Sequence, residues 1–119
     1  MSQRFPSSVF RHGSEPDARF SLANERTFLA WIRTALGLVL AAVAVQALTP
    51  SLSELWRTAA AGLFATAGLV ASLRSWFGWA AAEKALRLGR PLKGFAIGVV
   101  VTAATALGIA ALLLGWLLA

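Results

Sequence analysis

Three long apolar runs divide the chain: Phe28–Leu48, Trp56–Trp79 and Phe95–Leu118. At ~1.5 Å of rise per residue, each is long enough as a helix to cross a hydrocarbon layer of ~30 Å. The first run holds one charge, Arg33, near its start. The second carries Arg57 and Arg74 near its two ends, and the third carries none. Thr49-Pro50-Ser51 ends the first run, and Ser51 or Ser53 can cap the next helix. Glu54 then falls in a first turn, where a carboxylate meets the positive end of the helix dipole. Pro91 marks a break before the third run. The pattern predicts an all-α integral membrane fold with three transmembrane helices, over about 21–48, 54–80 and 92–118. Residues 1–20, with Pro6, Gly13, Pro16 and several serines, read as a polar tail outside the membrane domain of residues 21–119, mobile up to about Pro16. No apolar stretch closely follows the first basic residues, so the opening does not read as a secretory signal.

Composition supports the same picture. Of 119 residues, 58% are hydrophobic and 13% charged, and the mean hydropathy is +0.70. A soluble domain of this size could not bury that much apolar surface. The net charge of +6 would suggest nucleic acid in a soluble protein. Here the basic residues flank apolar runs, which points to membrane orientation and not to a nucleic-acid partner. Arg4, Arg11, Arg19 and Arg26 precede the first run, and Lys84, Arg87, Arg90 and Lys93 separate the second from the third. The short 49–57 connection has Arg57 alone. The positive-inside rule therefore places the N terminus in the cytoplasm and the C terminus outside. Trp31, Trp76 and Trp79 fall near inner helix ends, and Trp56 and Trp116 near outer ones, as an interfacial aromatic belt requires.

Candidate chemistry is sparse. There is no cysteine, and the one histidine, His12, sits in the tail, so neither thiol chemistry nor a metal site is expected. No Gly-rich phosphate loop, HExxH, serine–histidine pairing or intramembrane carboxylate pair is present, and no enzyme activity or cofactor is expected. The informative stretch is Ala18–Thr34, ARFSLANERTFLAWIRT. Ser21 or Asn24 can cap a helix start there, and Glu25 suits the first turn or an ion pair with a neighbouring arginine. Arg26 and Arg33 are seven residues apart, which brings them within about 20° of one helix face, and Arg19 extends the stripe. Arg33 has two readings: its side chain snorkels toward the cytoplasm, or it faces a water-filled path. Lys84, Arg87, Arg90 and Lys93 fix topology, or bind anionic lipid headgroups or a polyanion. Small residues recur at helical spacing in all three runs: Ala30, Gly37 and Ala44; Ala61, Ala65, Gly68 and Ser72; Gly94, Gly98, Thr102, Thr105, Gly108 and Gly115. They fit packing within one chain or between copies.

The segment Leu22–Thr34, LANERTFLAWIRT, with Asp17-Ala18-Arg19-Phe20 before it, resembles the signature of the YidH-like family, domain of unknown function family 202. These are small three-helix bacterial membrane proteins, and the helix plan and basic second connection match as well. The resemblance implies a bacterial inner-membrane location. The same domain forms the membrane part of the eukaryotic vacuolar transporter chaperone, which makes and translocates polyphosphate. That likeness implies a homo-oligomer, a pentamer, in which basic residues of the first helix meet a polyanion. Arg19 and Arg26 align with basic positions of that domain and Glu25 with its acidic neighbour. The second-connection basic residues do not align cleanly, and the 119 residues hold no polymerase or phosphate-binding soluble domain.

Two functions follow as expectations. One is a homo-oligomeric pore or channel-like assembly with Arg19, Arg26 and Arg33 at its cytoplasmic entrance, for anions or polyphosphate. The other is a non-conducting scaffold or accessory subunit that binds another membrane protein or anionic lipid.

Overall fold

The computed structural model of the chain describes residues 4–92 and 96–118. Its regular structure is helical throughout these residues: α1 (Ser7–Phe10), α2 (Ala18–Leu48), α3 (Glu54–Leu88) and α4 (Ala96–Leu117). The last three are long and apolar enough to cross a membrane, so the expected three-span architecture is present.

Local chemistry sets the helix ends. Asp17 caps α2, its carboxylate accepting the Arg19 N–H at 2.9 Å. The helix thus starts three residues before the expected position 21. Ser53 caps α3 by accepting the Trp56 N–H, with Glu54 in the first turn. At the other end α3 runs to Leu88 rather than 80, because nothing in 80–88 breaks a helix. Gly89 stops it with φ 67°, a left-handed conformation that suits a residue without Cβ. The Arg90 N–H then returns to the Ala85 carbonyl at 2.9 Å. Lys84 and Arg87 therefore stand on α3 itself and not in a connection. The last helix is expected from 92, but Leu92 is not helical; residues 93–95, Lys93 and Gly94 among them, lie outside the described residues.

α3 is the centre of the fold. α2 and α4 each pack along it, and among the described residues they do not pack on each other. The α2 seam is Trp31, Ala35, Leu38, Ala42 and Val45, alternating steps of three and four, as side chains on one stripe of a helix must. It meets Ala61, Phe64, Ala67 and Ala71 in one buried cluster with Ala111 of α4. Small residues set the approach. A Cβ on Gly68 would sit 3.2 Å from the Ala35 carbonyl, and one on Gly108 would sit 2.9 Å from the Phe64 ring. Close backbone contact of this kind is what holds helices together where lipid removes the hydrophobic drive. Large side chains such as Leu36, Leu40, Leu69 and Val99 point outward, where they meet acyl chains. The molecule is a rod of 59 × 23 × 20 Å.

One tryptophan departs from the expected belt. Trp76 and Trp79 meet at a tilt, with ring centres 5.4 Å apart, near the inner end, and Trp56 and Trp116 sit near the outer end. Trp31 is instead buried in the core, with the Arg74 guanidinium 5.1 Å from its ring centre.

Candidate functional site

α3 has 35 residues, about 52 Å of helix, against a hydrocarbon layer of ~30 Å. Its last turns, beside the first turns of α2, therefore extend beyond what that layer can cover. The polar and charged side chains gather there, in three arrangements.

The first is the arginine stripe. Arg26 and Arg33 are exposed, and so is Arg19, which pairs with Asp17 at 2.9 Å. That pair holds the Asp17 carboxyl below its ordinary range. At 100° per residue the stripe lies roughly 150° around α2 from the seam that meets α3. Gly37 shares the stripe's face, and nothing in the chain lies within 4 Å of a Cβ placed on it. The three arginines therefore point away from their own bundle. Glu25 is also exposed and forms no ion pair among the described residues.

The second is a polar bridge between α2 and α3. Ser21 Oγ donates to Glu83 Oε2 at 2.7 Å. Asn24 Nδ2 donates to the Trp79 carbonyl at 3.0 Å and to Glu83 Oε1 at 3.3 Å. Ser21 and Asn24 are thus not caps, because Asp17 already closes the helix start one turn earlier. They join the two helices, and Glu83, 4% exposed, is their acceptor. The sequence held one signal for this: Glu83 is the sole acid among the basic residues of 80–93.

The third arrangement is the tail. Residues 4–17 fold back onto the inner end of α3, in place of the expected mobile segment. Arg87 is the anchor and is 6% exposed. It donates from Nε to the His12 carbonyl at 2.7 Å, from Nη2 to the Phe10 carbonyl at 3.0 Å and from Nη1 to Glu15 at 3.0 Å. Glu15 also pairs with Arg4. Gly13 has φ 60°, and a Cβ there would collide with the Arg87 carbonyl, so only glycine lets the tail come this close. Phe5 and Phe10 lie against Trp76 and Trp79, with ring centres 6.2 Å apart in each pair. Desolvation and then the nearby charges of Lys84, Arg11 and Arg90 hold His12 below its ordinary pKa. Arg87 is therefore enclosed by protein and unavailable to headgroups, which corrects its expected place among the lipid-facing cations. Lys84 and Arg90 remain accessible.

Between α2 and α4, on the inner half of α3, lies an open cleft of about 1070 Å³. Arg74, Lys84 and Arg90 line it together with apolar side chains such as Phe20, Phe77 and Ala82. The Arg74 guanidinium lies over Gly78, where a Cβ would strike it. The sequence marked Arg74 only as a charge near the inner end of the second run.

Comparison with known proteins bears most directly on α2 and α3. The model of DUF202, a domain of unknown function, matches residues 19–85. The inner membrane protein YidH of Escherichia coli K12 is 44% identical over 85 residues, covering 71% of this chain and 74% of that protein. An uncharacterised protein of Mycobacterium tuberculosis H37Rv is 48% identical over 81 residues. The match covers 66% of this chain and 65% of that relative, so the chain spans about two thirds of its length. No solved structure matches. The stripe and the polar bridge lie inside the family match, whereas Arg87, Arg90 and the tail lie outside it.

Proposed function

The chain belongs to the DUF202 family, and on that premise we propose that it is a multi-pass protein of the bacterial inner membrane that assembles with copies of itself into an anion-facing pore. The observation that carries this reading is the direction of the arginine stripe. Arg19, Arg26 and Arg33 stand on the face of α2 that its own chain leaves uncovered. A guanidinium within the membrane costs roughly 2.5–3.5 kcal/mol on insertion scales, which favours a polar or water-filled neighbour over lipid. Around a shared axis, each arginine position becomes a ring. Rings of arginine attract anions, and the planar fork suits phosphate oxygens. Gly37, on the same face, would let neighbouring α2 helices approach closely.

In such an assembly α2 would line the axis, with α3 behind it and α4 outermost, the order in which the helices pack. Beyond Arg33 the same helix is apolar from Ala35 to Ala44, which would close the path by dewetting until it is widened. The class of permeant is an inorganic anion or a polyphosphate chain, the latter through the likeness to the vacuolar transporter chaperone. Exposed Glu25 beside the stripe would moderate the local charge.

The test is conductance of the purified protein in planar bilayers. The wild type is expected to pass anions over cations, and Arg26→Glu is expected to abolish or invert that preference. An unchanged preference in the variant, or no conductance in the wild type, would sink the pore. A foreign membrane protein recovered in stoichiometric amount from mild detergent would instead favour the scaffold reading.

A further inference from the structure

We propose that the cleft between α2 and α4 holds one anionic glycerophospholipid of the inner leaflet. This inference is independent of the pore, because the cleft and the arginine stripe are formed by different residues.

The cleft has two adjoining parts. The upper part, at the cytoplasmic end, is about 1070 Å³ and contains Arg74, Lys84 and Arg90. The lower part is about 400 Å³ and is lined by Ala30, Trp31 and Thr34 of α2 facing Gly98, Val101 and Thr102 of α4. Thr27 lines both, so the two parts adjoin as one groove along α2. From Phe20 to Thr34 it follows α2 for about 21 Å at ~1.5 Å per residue. One leaflet, headgroup included, is about 20–22 Å deep. The groove therefore has the depth of a single lipid.

Its chemistry divides as a phospholipid does. Cations occupy the upper part, and among the described residues no aspartate or glutamate lines either part. Glu83 neighbours Lys84 in sequence, but it is buried and its carboxyl group is taken up by Ser21 and Asn24. Arg74 starts within the membrane-spanning part of α3 and lies over Gly78, one turn nearer the cytoplasm, which carries its charge toward phosphate depth. Below, the walls are apolar apart from threonine hydroxyls, and Thr27 donates its own to the Ala23 carbonyl. A free anion would leave those walls unused. An apolar helix of a second copy would leave three cations unpaired. A diacyl lipid with a negative headgroup satisfies both regions.

The full chain, purified in mild detergent, can be offered equal amounts of phosphatidylglycerol and phosphatidylcholine and weighed intact by native mass spectrometry. One phosphatidylglycerol per chain should be retained, preferred by about ten-fold or more. The triple variant Arg74→Gln, Lys84→Gln, Arg90→Gln should lose that preference. The charge-keeping triple Arg74→Lys, Lys84→Arg, Arg90→Lys should retain it, which guards against a folding defect. Ala82→Phe, which narrows the apolar wall and alters no charge, should lower retention of both lipids. Arg19→Gln with Arg26→Gln and Arg33→Gln should leave the preference intact even if it destroys conductance. Equal retention of the two lipids by the wild type would overturn the proposal, as would equal loss in the stripe variant. So would a Gln triple that dissociates into single chains with its bound lipid unchanged, because the cleft would then be holding a second copy.

Discussion

Arg87 shows how one side chain can decide the state of a whole segment. Its guanidinium spends three nitrogens on the His12 and Phe10 carbonyls and on Glu15, at 2.7–3.0 Å, while α1 contributes a single buried apolar residue, Val9. Tail docking therefore rests on a few hydrogen bonds and aromatic contacts, and local opening governs access to it. Arg87→Ala should raise the rate of tryptic cleavage after Arg4 and Arg11 by at least about ten-fold while the spans stay folded. Peptide mapping over time in detergent would check this. Acidity should act on the same contact. The docked tail holds His12 below its ordinary value of 6.5, so protons bind the released tail more tightly. Docking is full above about pH 6.5 and weakens as pH falls below it. The protection factor of tail amides, measured against their intrinsic exchange rate at each pH, should fall as pH drops below about 6.5, and His12→Gln should flatten that dependence. At this scale the sequence was legible where one helix period decides the answer. Arg19, Arg26 and Arg33 share a face because seven residues make two turns. It was not legible for Arg87 or Asn24. An arginine in a basic segment and an asparagine near a helix start each have two ordinary uses, and the partners that choose between them lie 55 to 77 positions away.

Among the elements, apolar run length was enough to find α2, α3 and α4, because a bilayer leaves helices few alternatives. The inner ends were harder. Both α2 and α3 continue past the apolar runs, and hydropathy does not report a helix whose last turns are polar. The small residues resolve into two kinds once their neighbours are known. Gly108 sits against Phe64, whereas Gly37 faces nothing within its own chain. Gly108→Leu should therefore lower the stability of the single chain by about 1–3 kcal/mol through overpacking. Gly37→Leu should leave it unchanged. Thermal unfolding in detergent, at concentrations where copies do not associate, separates the two. The spacing of glycines alone could not, because an alanine-rich helix offers close approach on several faces.

Across the whole molecule, charge asymmetry and helix count predict one topology together. The lateral order did not follow from them. That α3 lies between α2 and α4, leaving a cleft at the inner side, depends on which faces interlock, and no periodicity records it. The absence of cysteine makes the assembly easy to test. Gly37→Cys should cross-link between copies under a mild oxidant if α2 helices surround a common axis. Gly62→Cys, exposed on α3, should not. Equal cross-linking at both sites would mean random encounters and no axis.

The docked tail has a consequence for how the chain is made. Its anchor lies 72 to 77 residues downstream of the groups it holds. Phe10, His12 and Glu15 therefore leave the ribosome long before Arg87 is synthesised. Through that interval the segment has no surface to fold upon. Residues translated well before their anchor are thus among the last to reach their final place, and their protection from proteases reports that the inner end of α3 is complete.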